Sequence, residues 1–404
     1  MTRTVFTGGE VFDGTGSAPE RADVLIEGDR IIAVGRGLDG DVAVDCTGKT
    51  VLPGLFDTHV HVMFSYGAMS QLGRRPVSYQ YYDAAVNLRK TLALGITTVR
   101  DAGGADLGVK QAVANGLIPG PRMRISIGVI SQTGGHGDAD PAPSHIGMTP
   151  AVADGPDEMR KVARKLLKAG ADQLKVCTTG GVLSLGDDPR HAHFTPEELD
   201  VLIAEARMRG AHVMAHAQGT EGIKNAIRAG VRSIEHGTFL DDEAIEMMVA
   251  TGTWLVPTIS APVSVLRAVE AGAVMPEEAV RKTRDVVDVH MDSARRAIAA
   301  GVKIAMGTDA GVVPHGANLG ELALMVDCGM TPAQSLAATT SSAAALLGLD
   351  GELGRLADGH RADLVLVDGG IAGLGDLADR VAEVWQDGKK VSVRGGVPSA
   401  HLVA

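Results

Sequence analysis

Aromatic side chains are scarce in this chain, with 2 Trp, 4 Tyr and 6 Phe among 404 residues. A surface so poor in flat rings has little on which unpaired bases could stack. Basic residues are in the minority, 38 against 49 acidic ones, for a formal net charge of −11. Such a surface repels phosphate backbones and anionic lipid, so neither nucleic acid nor membrane is expected as a partner. The three cysteines, Cys46, Cys177 and Cys328, are too widely spaced for a disulfide framework and fit a reducing compartment. No segment approaches the roughly 18 uncharged apolar residues of a membrane span. The opening MTRTVFTGGEVFDGTG lacks the apolar stretch of a secretory leader. We therefore expect a soluble protein of the cytoplasm.

What the chain has is apolar material, 45% of its residues, and 52 glycines, which suit many tight strand–helix junctions. The first fifty residues alternate short β-type runs with Gly-Glu and Gly-Asp pairs, as in hairpins, and the last fifty read similarly. Between them, eight apolar β-branched runs alternate with Ala-, Leu-, Glu- and Arg-rich helical stretches. The runs are 51–61, 95–103, 122–130, 171–179, 211–219, 231–238, 253–259 and 302–311. Thr195-Pro196-Glu197-Glu198 reads as a helix start, with Thr as N-cap, Pro at N1 and acids in the first turn. Eight βα units in succession predict an α/β fold, a (β/α)8 TIM-like barrel over 54–354. The two termini, 1–53 and 355–404, are expected to pair into one small β-sandwich domain.

In barrels, chemistry sits at the C-terminal ends of the strands. Here the first run ends in His59-Val60-His61, the fourth holds Lys175, and the fifth and sixth end in His216 and His236. The eighth carries Asp309. Side chains two apart on a strand share a face, so His59 and His61 point the same way. A single strand-end His is more often a hydrogen-bonded core residue than a ligand, and a lone H-x-H is weak evidence. Concurrence at five strand ends favours a metal site, because imidazole and carboxylate suit zinc and its neighbours. His212, His290, His360 and His401 read instead as structural or solvated.

The ordered motifs V-L-P-G followed by F-D-T-H-V-H, then D-Q-L-K-V, A-H-A-Q-G, S-I-E-H-G-T and M-G-T-D-A-G, resemble the amidohydrolase superfamily. More narrowly they resemble its imidazolonepropionase-like and Xaa-Pro dipeptidase-like branch, over nearly the whole chain. The resemblance implies a binuclear centre of two divalent ions, usually Zn2+. His59 and His61 would bind the more buried metal, and His216 and His236 the more exposed one. Lys175, carboxylated by CO2, would bridge them. Asp309 would bind the buried metal and shuttle the proton of a bridging hydroxide. Charge bookkeeping agrees: an unmodified ammonium at Lys175 would repel both cations, whereas a carbamate, Asp309 and hydroxide together offset most of their charge.

The loop SQTGGHGDADPAPSH carries His136 and His145, and relatives place the first of these beside the substrate carbonyl. In TTGGVLSLGDDPRHAHF, Arg190, His191 and His193 are candidate substrate contacts. Phe239 stands where relatives often have Tyr, and Gln218 where many have His, so the chain departs from a plain dipeptidase pattern. The reading is hydrolysis of a C–N bond in a small molecule, an N-acyl amino acid or dipeptide-like amide, by a chain that could form homo-oligomers. On the same scaffold the alternatives are a cyclic amide, carbamate, urea, lactone or phosphotriester. A non-catalytic metal-binding protein is the alternative of another class, and it would have no need of a proton carrier at Asp309.

Overall fold

The computed structural model describes residues 2–65, 75–138, 151–184 and 186–391. The N-terminal segment contributes β1 (Arg3–Thr7), β2 (Glu10–Val11), β3 (Glu20–Arg21), β4 (Asp23–Glu27), β5 (Arg30–Gly35), β6 (Val42–Asp45) and β7 (Lys49–Pro53). Parallel strands follow as β8 (Leu55–Val60), β9 (Ile96–Asp101), β10 (Arg122–Ile125), β11 (Val129–Ile130), β12 (Gln173–Cys177), β13 (His212–Ala217), β14 (Ser233–His236) and β15 (Trp254–Val256). Helices α1 (Val77–Ala93), α2 (Leu107–Ala114), α3 (Pro156–Lys168), α4 (Pro196–Met208), α5 (Thr220–Ala229) and α6 (Asp242–Thr251) lie between them. Beyond β15 come α7 (Ser260–Glu270), α8 (Glu277–Ala299), α9 (Gly320–Asp327), α10 (Pro332–Ala338) and α11 (Ser341–Leu347). The chain closes with β16 (Leu364–Asp368), β17 (Val381–Gln386) and β18 (Lys389–Val391).

The fold is α/β with parallel sheets. β8, β9 and β10 form one sheet, and β11 to β15 form another in sequence order. Residues of β8, β9 and β12 are buried throughout, as expected of strands covered on both faces. Asp172 N–H donates to Ile125 O at 2.8 Å, linking the two sheets through β10 and β12. The predicted eighth run forms no regular strand among the described residues. It still hydrogen-bonds on both sides: Ala305 N–H to Leu255 O at 3.1 Å, and Thr58 N–H to Met306 O at 2.9 Å. No helix of the described residues is long and apolar enough to cross a membrane.

Three expectations need correction. The first run, 51–61, is two strands: β7 pairs with β16 and β2, whereas β8 pairs with β9. The break is at Gly54, where a Cβ would meet Thr97 Oγ1 at 2.2 Å, so only glycine lets the chain pass from one sheet to the other. The third run divides into β10 and β11 around Ile127, which sits at φ 67°. Gly9-Glu10 does not make a hairpin, because β1 and β2 lie in different sheets. Gly28-Asp29 does, joining Glu27 to Arg30 across the β4–β5 pair, and Asp387-Gly388 joins β17 to β18.

The two termini meet in the sheet β18-β17-β16-β7-β2-β3. Phe6 from one end packs edge-on against Trp385 from the other, ring centroids 5.0 Å apart. At α4, Thr195 accepts from Glu198 N–H while Glu198 accepts from Thr195 N–H, a reciprocal capping box. α5 stops at Gly230 in the left-handed conformation, φ 95°, and the chain turns into β14.

Candidate metal centre

Strand ends and the loops beside them bring seven sequence-predicted residues together: His59, His61, His136, Lys175, His216, His236 and Asp309. The tightest group is His59, His61 and Asp309, whose ligand atoms all lie within 4.8 Å of one another. Asp309 Oδ1 is 3.5 Å from His59 Nε2 and 3.3 Å from His61 Nε2. Lys175 Nζ lies 3.2 Å from His59 Nε2. The His216 and His236 rings stand 4.6 Å apart edge to face, and His236 is 5.2 Å from His59.

Each imidazole is held by its far nitrogen. His59 Nδ1 is 2.8 Å from Glu235 Oε2, and His61 Nδ1–H donates to Gly103 O at 2.8 Å. His216 Nε2–H donates to Gly180 O at 3.0 Å, and His236 Nδ1–H to Thr258 Oγ1 at 2.7 Å. One nitrogen of each ring is thereby occupied, which leaves the other as a lone pair for a cation. Two histidine nitrogens and a carboxylate oxygen form a borderline donor set of the kind zinc takes. These residues fit a divalent metal.

Electrostatics favour a neutral ring at four of these five histidines, His61 being the exception. Burial, reinforced by the charge of Lys175, lowers His59 and His136 to about 4, so both rings are neutral near pH 7. Burial drives His216 and His236 well below the usual imidazole range. Burial would lower His61 too, but Asp309 outweighs it and raises that ring. For Asp309 itself burial pulls upward, yet the surrounding histidines overcome it and hold the carboxyl well below its ordinary range. Burial lowers Lys175, toward the neutral amine.

The backbone is strained where the candidate ligands sit. His236 has φ 72°, Asp309 φ 60° and Thr258 φ 49°, a left-handed region that non-glycine residues seldom enter. His236 O is tied down by His290 Nε2–H at 2.9 Å, and Asp309 N–H donates to His59 O at 2.7 Å. His290, read from sequence as structural or solvated, is thus a buried anchor for a candidate ligand.

His136 stacks on His216, centroids 4.3 Å apart, with Ser184 Oγ 3.1 Å from its Nδ1. A Cβ at Gly181 would meet His136 Nδ1 at 2.1 Å, so that glycine makes room for the ring. Of the remaining candidate contacts, His193 lies close enough to His136 for its charge to lower that ring. Arg190 lies over the Phe239 ring at 4.6 Å, His191 is exposed, and His193 is buried with Nε2 3.2 Å from Asp187 Oδ1. His145 falls outside the described residues.

Sequence reasoning missed the residues behind the candidate ligands. Glu235 is fully buried beside His59, and Arg100 forms a double hydrogen bond to it at 2.9 and 3.0 Å. Asp57 accepts from His59 N–H, Thr308 and Asn318. The available signal was a charged residue inside otherwise apolar runs, as in T-V-R-D and S-I-E-H.

The amidohydrolase family model matches residues 50–397. The ochratoxinase of Aspergillus niger is 33% identical over 96% of this chain and 86% of its own length. The imidazolonepropionase of Cutibacterium acnes is 29% identical over 85% of this chain and 83% of its own. A solved Xaa-Pro dipeptidase with methionine bound in its active site is 35% identical. It superposes with a TM-score of 0.89 over 96% of this chain and all of the other.

Proposed function

Because the chain belongs to the amidohydrolase family and is a hydrolase acting on carbon–nitrogen bonds, we propose that it cleaves the amide of an N-acyl amino acid or dipeptide-like substrate at a centre for two divalent metals, most suitably Zn2+. The observation that carries this reading is the convergence of His59, His61 and Asp309 within 4.8 Å of one another. His59, His61 and Asp309 would hold one ion, and His216 and His236 the other. The parallel strands with the segment 303–310 would close into a (β/α)8 barrel spanning 54–354. The terminal strands of 1–53 and 355–404 would form the accompanying β-sandwich domain.

Lys175, as a carbamate, would help to hold the ions. An amine attacks CO2 only when neutral, and burial lowers the proton affinity of this one. Carboxylation turns a cation that would repel the metals into an anionic ligand. When bound, the ions supply Lewis acidity, lowering the pKa of water and polarising the carbonyl. Asp309, held ionised by its histidine neighbours, accepts the proton of the attacking water and delivers it to the leaving nitrogen. His136, whose Nδ1 lies 3.1 Å from the Ser184 hydroxyl that donates to Gly181 O, would stand beside the substrate carbonyl. The Xaa-Pro dipeptidase relative and its bound methionine support a substrate that releases an amino acid.

Elemental analysis of protein expressed with zinc should give close to two metals per chain. The metal-loaded protein should hydrolyse members of a panel of N-acyl amino acids and dipeptides ahead of lactams and aryl carbamates. Reproducible absence of metal from active protein would sink this reading, and a preference for the lactams or carbamates would redirect the substrate.

A further inference from the structure

Three strands contribute to a buried group that reaches behind the candidate metal centre: His59 from β8, Arg100 from β9 and Glu235 from β14. Their relative exposures are 1%, 3% and 0%. Arg100 Nη2 donates to both Glu235 oxygens, its Nη1 to Ser233 Oγ at 3.0 Å and its Nε to Thr58 O at 2.6 Å. Glu235 Oε2 in turn lies 2.8 Å from His59 Nδ1. Four of the five N–H directions of this guanidinium are aimed at the carboxylate or at the strands beside it.

Stability alone does not account for such a group. Dehydrating a carboxylate and a guanidinium is costly, and apolar residues of similar volume commonly serve as well or better. Its specific consequence is a proton position. A carboxylate paired to Arg100 accepts and does not donate, so His59 carries its proton on Nδ1 and its lone pair on Nε2, the atom facing Asp309 and Lys175. The other three strand-end histidines rest on neutral acceptors: the carbonyls of Gly103 and Gly180 and the hydroxyl of Thr258. Of these four imidazoles, His59 alone is backed by a full negative charge, which makes its free nitrogen the most basic donor.

We propose that Arg100 and Glu235 are positioning residues that fix the tautomer and basicity of His59, and so make the His59–His61–Asp309 position the tighter of two metal positions. This rests on the metal reading above. Zinc titrated against a chromophoric chelator should resolve a tight and a weaker class in the wild-type protein. Glu235→Gln, which keeps the shape and an acceptor oxygen but removes the charge, should weaken the tight class by roughly 10–100-fold and leave the weaker class unchanged. Its circular dichroism in chelator should match that of the wild type, while the unpaired Arg100 lowers its melting temperature. Where Glu235→Gln alone does not fold, the charge-neutral pair Arg100→Met with Glu235→Gln carries the same measurement. Unchanged tight-class affinity in a folded variant overturns the positioning role, as does equal weakening of both classes. Wild-type protein that takes up no zinc overturns the metal reading itself.

Discussion

The two ends of the parallel strands treat polar residues in opposite ways. At the C-terminal ends, His59, Lys175, His216 and His236 are buried, and the backbone turns left-handed at His236, Thr258 and Asp309. At the N-terminal ends, charged groups are partly exposed and serve packing. Arg232 caps the carbonyls of Ala345 and Leu346 at the end of α11, and Lys303 lies over the Trp254 ring at 5.6 Å. Arg122 ties β10 to Asp363 and Asp387 of the C-terminal segment. One end gathers lone pairs and strain, while the other uses hydrogen bonds and ion pairs to join the elements. Burial and strain at one end of these parallel strands mark the candidate site, and paired charges at the other mark stability.

Substitutions at the two ends should therefore fail differently. The largest effect is expected from Asp309→Asn, which keeps size and one ligand oxygen but cannot accept a proton. Its kcat should fall by roughly 10²–10⁴ while zinc content stays near normal, both measured on one preparation. Loss of zinc in step with activity would make Asp309 a ligand only, and near wild-type turnover would remove it from the mechanism.

At the opposite end, Arg122→Met leaves the buried Asp363 without its guanidinium. It should cost about 1–3 kcal/mol of stability by urea titration, with kcat per metal-loaded chain unchanged. A drop in kcat with no stability loss would dissolve the contrast between the two ends.

The smallest effect concerns Glu321, buried beneath the active end, where it accepts from Ile259 and Ser260 N–H at 2.8 and 2.7 Å. Burial raises its carboxyl from 4.5 to about 7, against the pull of those bonds. Between pH 4.5 and 7 the folded protein thus holds a proton that the unfolded chain releases, so this group's contribution makes stability fall as pH rises. Glu321→Gln should flatten that part of the stability–pH curve. An unchanged slope would show that Glu321 is ionised at little cost in the folded state.

Much of this was legible in local pattern. H-x-H at the end of an apolar run places two imidazoles on one face wherever the strand goes, and T-P-E-E announces the capped start of α4. Less legible were interruptions of a continuous apolar run. Leu52 and Leu55 look equivalent in sequence but belong to different sheets, because Gly54 passes where any side chain would strike Thr97. His290, on a long helix, carried no sign that it would reach His236 O.

By itself, the sequence determined the alternation of strands and helices, the donor types at the strand ends and the capping of α4, since each depends on residues within a few positions of one another. The tertiary structure alone decided that Glu235 meets His59 across 176 residues, that Arg100 holds that carboxylate, and that His236 and Asp309 are kept in left-handed conformations. A buried charge and a strained residue persist only when distant parts of the chain converge to pair the one and pin the other, and no local pattern encodes that convergence.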